Sequence, residues 1–391
     1  MTDDLKKKLR SLMAQEVESS GTPGVSLLIR RRGKELFFDV QGYADWENQI
    51  PLKRDNIFRI YSMTKPITAA AAMVLVERGL LDLNMPVSEV LPGFASAKIQ
   101  MGDALVPVRR PVTVLHLLNM TSGLTYGDVL TQEGQRLLAY VDACGRILNS
   151  QNAVTTTAFA NALGEIPLAF EPDSSWCYGF SADVLGAVIE EISGMRFGRF
   201  LEENLFKPLN MNDTGFYVPG EKYSRLAAAY ETGENGTWKR YTGNHLLIRN
   251  AMNAPPQFES GGGGLVSTID DYARFAQMLL NRGSLENQRI LSPQTVAFLT
   301  SGELTAPQQE AFRRFGGHEG YTYSHLLRRL TQPGQACLMS DEGEYGWAGW
   351  LGCYFANLPG IDTTILLMQQ KKGAGTTSLT RRIRNLLTAE G

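Results

Sequence analysis

The chain has 391 residues, 43% of them hydrophobic and 20% charged, with a formal net charge of −2. That length admits two domains or one with an insertion, and the composition is that of a globular protein with a real core. The near-neutral balance excludes a basic nucleic-acid surface, and the short clusters Lys6-Lys7-Lys8 and Arg30-Arg31-Arg32 read as solvated faces.

Residues 3–18 have the spacing of an amphipathic helix and lack the apolar stretch and cleavage site of a signal peptide. The longest apolar run, 69–76, is about half a membrane span. A cytoplasmic protein with no membrane anchor is the expectation. Cys144, Cys177, Cys337 and Cys353 are far apart and form no C-x-x-C pair, which fits free thiols in a reducing compartment. The four histidines form no H-E-x-x-H, so no metal and no cofactor is expected.

Residues 24–29 and 36–41 read as strands of a hairpin around Arg32-Gly33-Lys34. Residues 57–61 then approach Ser62. The run 67–77 is apolar and Ala-rich, a buried helix ending at Gly79. Proline is accepted only in a helix's first turn, so Pro66 requires the helix to begin close to Ser62. Helical patterns follow at 112–118, 155–163, 183–192 and 200–205. After Gly261-Gly262-Gly263-Gly264, Ser267 with Asp270 reads as the cap of a helix over 270–280. Residues 352–356 and 363–369 read as strands and 378–387 as a closing helix. Strands at both ends with helices between predict an α/β (α+β) fold. Its sheet domain is formed by 1–82 and 256–391, and a mostly helical domain, 83–255, is inserted. The active site is expected in the cleft between them.

The chemistry centres on Ser62-Met63-Thr64-Lys65. A serine hydroxyl needs a base, and residues three apart share a helix face, so the Lys65 amine can reach Ser62. A desolvated lysine gives up its proton more readily, and a helix start favours developing negative charge. Spacing alone is not specific. With 22 serines and 12 lysines, chance supplies about 0.7 S-x-x-K matches. On spacing alone a helix cap followed by a surface lysine is the favoured reading, but the apolar turns that follow point Lys65 into a cleft.

The stretch from Arg59 through Ser62-Met63-Thr64-Lys65-Pro66, followed by Glu77-Arg78-Gly79-Leu80-Leu81-Asp82-Leu83, resembles the β-lactamase-related serine hydrolases. This penicillin-recognising fold group contains class C β-lactamases, D,D-peptidases and family VIII carboxylesterases. His116-Leu117-Leu118-Asn119-Met120-Thr121-Ser122-Gly123-Leu124, Tyr178-Gly179-Phe180, the run 261–268 and Tyr345-Gly346-Trp347-Ala348-Gly349 agree in order, over roughly residues 20 to 370. The resemblance implies a penicillin-binding-protein-like antiparallel sheet flanked by helices. It also implies Ser62 as the acylated nucleophile, Lys65 as its base or proton relay, and Tyr178 sharing the proton work, as an anionic tyrosine or as a donor to the leaving group. The backbone N–H groups of Ser62 and Trp350 would form an oxyanion hole. Tyr61, Phe180, Trp347, Ala348 and Gly349 would meet the substrate.

Two departures narrow the substrate. Phe180 stands where the lactamases carry an amide, and Trp347 where they carry the lysine of K-T-G. Both favour a neutral, apolar acyl group and the esterase branch. The expected substrate is a short- to medium-chain carboxylic ester. A D-amino-acid amidase or D,D-peptidase, a β-lactamase, an acyltransferase or a non-catalytic binding member are the alternatives. His116 reads as structural; His245, His318 and His325 are candidates for the cleft wall. Loops 125–152 and 231–257 are expected to shape the pocket. An ester or amide small molecule is the only expected partner, and a homo-oligomer is left open.

Overall fold

The computed structural model describes residues 1–19, 21–101 and 104–389. Helix α1 (Asp3–Glu18) buries Leu5, Leu9, Leu12 and Met13, a stripe at three- and four-residue spacing. Strands β1 (Gly24–Arg31) and β2 (Lys34–Asp45) form the expected hairpin. Its turn is only Arg32 and Gly33, whose φ values of 52° and 72° suit a tight two-residue connection. Lys34 already pairs with Arg31.

The remaining main-sheet strands are β3 (Ile50–Pro51), then β6 to β10 from the last third of the chain. These are β6 (Tyr321–Ser324), β7 (Leu327–Leu330), β8 (Tyr345–Ala348), β9 (Tyr354–Leu358) and β10 (Thr363–Gln369). Between these groups, β4 (Phe58–Arg59) and β5 (Val266–Ser267) pair with each other. The eight-stranded antiparallel sheet has the order β6-β7-β8-β9-β10-β1-β2-β3. The two ends of the chain therefore meet in the middle of the sheet, where Val25 to Arg31 face Gln369 to Thr363.

Alternation along the central strands sends side chains to two cores. Val25, Leu27, Ile29, Ile365 and Leu367 point to one face, against α1 and the closing helix α11 (Ser378–Ala389). Leu28, Leu366 and Met368 point to the other, where helix α2 (Thr64–Glu77) and helix α8 (Ile269–Leu280) lie. Helix α2 is buried without a break from Thr64 to Leu75 and carries Pro66 in its first turn. Residues 83–255 hold α3 (Val114–Asn119), α4 (Gln132–Arg146), α5 (Thr156–Glu165), α6 (Ser181–Ser193) and α7 (Phe197–Leu201), with two short hairpins.

Three local expectations need correction. The segment 125–152, read as a loop, contains the four-turn helix α4; Gly134, Gly145 and a polar surface hid its period. The cap of α8 is Thr268, which accepts the Asp271 N–H, while Ser267 sits in β5 and bonds to Thr214. Helices α9 (Pro293–Ser301) and α10 (Ala306–Arg314) and the β6–β7 hairpin were not anticipated. The four cysteines are free, and no helix among the described residues is long and apolar enough to cross a membrane.

His325 turns the β6–β7 hairpin with φ of 46°, buried with its ring against Phe298 rather than in the cleft. Desolvation pushes its pKa down to about 4 from an unfolded value near 6.5. As pH falls from 6.5 to 4 the unfolded chain takes up a proton that the folded imidazole refuses, so stability is lost across that window. Urea denaturation against pH should show the wild type losing about 1.4 kcal/mol per pH unit relative to His325→Gln there, with no difference in slope above pH 7.

Candidate active site

Ser62 lies in a single 3-10 turn, Tyr61–Met63, that runs directly into α2. Tyr61, the residue before it, has φ of 41°, an unfavourable backbone for a residue with a side chain. The turn is held there from several sides. The Tyr61 ring is 2% exposed and packs against Trp350 and His245, and Tyr272 on α8 donates to the Met63 carbonyl at 2.9 Å. Tyr61 is therefore a support of the turn that carries Ser62; it does not line the cavity, contrary to the expectation that it meets substrate.

The Lys65 side chain is 0% exposed. Its Nζ lies 3.2 Å from Ser62 Oγ, 3.1 Å from the Tyr126 hydroxyl and 2.6 Å from the Gly262 carbonyl. These contacts fit both protonation states. An ammonium would donate to all three oxygens. A neutral amine would donate to Tyr126 and Gly262 and turn its lone pair to the Ser62 proton. The arrangement can therefore take a proton from the serine without moving a heavy atom.

The Gly262 carbonyl is itself held. Asp183, near the start of α6, accepts the Gly262 N–H at 3.1 Å and the Ser260 hydroxyl. Burial raises the Asp183 carboxyl pKa, although Lys65 and those two hydrogen bonds pull it down. A Cβ on Gly262 would lie 2.5 Å from Asp183 Oδ2, so the turn tolerates only glycine there. Tyr126 and Asp183 were not singled out from the sequence. Tyr126 is the second residue after T-S-G-L, and Asp183 is an acid in the first turn of an apolar helix; an unexplained acid on such a helix was the available signal. Desolvation raises the Tyr126 phenol well above its usual range, so it remains a neutral partner.

Tyr178 and Ser62 line the same cavity of about 610 Å³. The Lys65 Nζ stands 4.4 Å from the Tyr178 ring centre. The Tyr178 oxygen accepts the Trp347 indole N–H at 3.0 Å, and among the described residues no direct hydrogen bond joins it to Ser62 or Lys65. Its own O–H is thus left for a group inside the cavity. Trp347 stacks on His318 and fixes this phenol. Phe180 is 1% exposed between Tyr126 and Phe159, so it packs the Tyr126 ring and, contrary to expectation, does not face substrate.

Ala348, Gly349 and Trp350 form the cavity edge beyond Ser62. A Cβ on Gly349 would sit 2.3 Å from the Ile60 carbonyl oxygen, which shows how closely this edge approaches the nucleophile turn. Among the described residues no hydrogen bond occupies the backbone N–H of Ser62 or Trp350. These two groups are available to an oxyanion. The Trp350 indole stacks on His245 at 4.0 Å.

The outer wall comes from Phe315 to Glu319, Tyr321, Arg328, Cys337-Leu338 and the approach to α11, and not from loops 125–152 and 231–257. Those loops act one layer back, through Tyr126 and His245. Of the histidines, His318 lines the cavity, and burial with the nearby Arg328 charge pushes its pKa down to about 4. His116 closes a capping box with Thr113 on α3.

The family described as Beta-lactamase matches residues 9–390. Protein Rv1367c of Mycobacterium tuberculosis is 32% identical over 357 residues, 89% of this chain and 85% of that protein. Esterase EstB of Burkholderia gladioli is 28% identical over 365 residues, covering 89% and 86%. Among solved structures, EstCE1, titled a hydrolase with promiscuous acyltransferase activity, superposes with a TM-score of 0.82 at 25% identity over 98% of both chains.

Gly349→Ala should lower kcat/KM for an ester by about 10²-fold or more, because the new methyl must push the cavity edge from Ile60. Gly334→Ala, where a Cβ meets nothing within 4 Å, should match the wild type. Tyr126→Phe removes one of the two oxygens that orient the Lys65 amine away from its lone pair. It should reduce kcat about 10-fold or more with little change in KM, read from steady-state kinetics.

Proposed function

The chain belongs to the Beta-lactamase family, with the fold of serine hydrolase-type enzymes, and from that premise we propose that it is a carboxylesterase acting through an acyl-enzyme on Ser62. The observation that carries the reading is the buried amine of Lys65, 3.2 Å from Ser62 Oγ with its other two directions occupied. In this scheme neutral Lys65 takes the Ser62 proton as Oγ attacks the ester carbonyl. The Ser62 and Trp350 N–H groups receive the oxyanion. Tyr178 gives its proton to the departing alkoxide, leaving a phenolate beside the Lys65 ammonium and the Trp347 N–H. Water then attacks the acyl-enzyme and returns a proton to Tyr178, while Ser62 recovers its own from Lys65. Protons balance over the cycle, and no transfer between Tyr178 and Lys65 is needed.

The esterase branch is favoured over β-lactam turnover by Trp347. It puts an indole where a lactamase lysine would stand and spends its N–H on Tyr178. With Phe315 it gives the space beside Ser62 aromatic walls, suited to an apolar acyl segment. Acyl transfer is the second reading, favoured by the likeness to EstCE1, since the same acyl-enzyme can be discharged to an alcohol. On this reading the cleft lies between the sheet segments 1–82 and 256–391 and the helical segment 83–255.

The test pairs p-nitrophenyl butyrate with nitrocefin. The wild type should cleave the ester, with nitrocefin slower by about 10²-fold or more, and Ser62→Ala should lose about 10³-fold or more in kcat/KM. A serine-directed phosphonate should add its mass to the wild type on the peptide containing Ser62. Ester turnover surviving in Ser62→Ala, or an unlabelled Ser62, rejects the mechanism.

A further inference from the structure

Arg328 is the feature that the reaction leaves unexplained. It lies on β7, is 3% exposed, and lines the cavity that Ser62 opens into. Its guanidinium carbon sits 4.9 Å and 5.5 Å from the ring centres of Tyr354 and Tyr321. Among the described residues its nitrogens form no hydrogen bond or ion pair, and none of them is fully enclosed, so its five N–H donors are reachable from the cavity. The neighbouring acid, Glu344, is already committed. Arg384 grips it with contacts of 2.8 Å and 2.6 Å, and the Tyr321 hydroxyl donates to both its oxygens at 3.2 Å. Two buried cations thus share one buried anion.

The cavity wall around Arg328 does not supply the missing charge. Arg381, on α11, is a second arginine lining it, and the chain enters that helix through Gly375 and Thr376 in the same wall. Glu319 is the acid of the lining, exposed at the rim with its carboxylate facing the Cys337 thiol at 3.9 Å. His318 is held neutral at ordinary pH. A planar guanidinium held against two aromatic rings in the cavity wall is preorganised for a planar anion that accepts two parallel hydrogen bonds.

We propose that the substrate carries a carboxylate away from its scissile ester, and that Arg328 receives it while Ser62 attacks the ester. The proposal rests on the esterase reading for the reaction and adds the charge of the substrate. The aromatic wall at Trp347 and Phe315 then accommodates an apolar spacer between the two ends, so a wholly neutral acyl group is not the preferred ligand.

Two series test this. One uses mono-4-nitrophenyl glutarate, adipate and suberate against their methyl-capped diesters; the other uses 4-butyryloxybenzoate against its methyl ester, for a carboxylate on the alcohol side. In the wild type the best free acid should exceed its capped partner by about tenfold or more in kcat/KM, through KM. In Arg328→Met that ratio should fall to about one. Equal or better turnover of the capped esters in both series overturns the proposal. A ratio that survives in Arg328→Met also overturns it. Should that variant not fold, inhibition of the wild type decides. Adipate competing against p-nitrophenyl butyrate, with adipamide inert, supports the proposal; inhibition by inorganic phosphate and not by adipate rejects it. If the wild type cleaves no ester at all, the esterase reading fails by itself. Calorimetric titration with adipate then decides the receptor, supported by binding that Arg328→Met weakens and overturned by no binding or by binding that Arg328→Met leaves unchanged.

Discussion

The burial of one amine, that of Lys65, organises the structure around Ser62. An amine withdrawn from water is costly unless each of its hydrogen-bonding directions is met. Here Ser62, Tyr126 and Gly262 meet them. Each partner needs its own support. The carbonyl depends on a glycine turn pinned by Asp183, Tyr126 depends on the aromatic packing of Phe180, and Ser62 depends on a strained turn. The continuous apolar surface of α2 is the same requirement seen from the helix: the segment that carries Lys65 must be enclosed on all sides.

Strain and close approach serve a common end. The positive φ at Tyr61 turns Ser62 out of the core, and the core answers with the rings of Trp350 and His245 and the hydroxyl of Tyr272. Gly349 closes the opposite side at a separation that no side chain permits. The free N–H groups of Ser62 and Trp350 are thus fixed by backbone contacts on both flanks, which is the kind of rigidity that electrostatic stabilisation needs.

Local pattern made much of this legible and tertiary placement made the rest opaque. The strand 363–369 and helices near 3–18 and 270–280 announce themselves by period, and Pro66 places the start of α2 beside Ser62. The ordered motifs locate Ser62, Lys65 and Tyr178, which the fold gathers at one cavity and its floor. Other assignments required coordinates. Tyr61 and Phe180 lie beside motif residues in sequence, yet their side chains turn into the core, and a one-dimensional reading has no measure of direction. Helix α4 was hidden by its glycines. The wall from Phe315 to Arg328 arises from a hairpin whose turn, His325-Leu326, lacks the glycine or asparagine that usually marks one. The grip of Trp347 on Tyr178 belongs to geometry and has no signature in the motif.

The sheet is closed in its middle by the first and last strands of the chain. Ser62 is contributed from near one terminus and Trp350 from near the other, across the β1–β10 ladder. Until β10 is in place, β1 has one hydrogen-bonding edge unpaired and Val25, Leu27 and Ile29 uncovered on one face. A chain that has folded without β10 therefore presents an edge open to pairing with another copy, so this ladder is where misassembly is favoured.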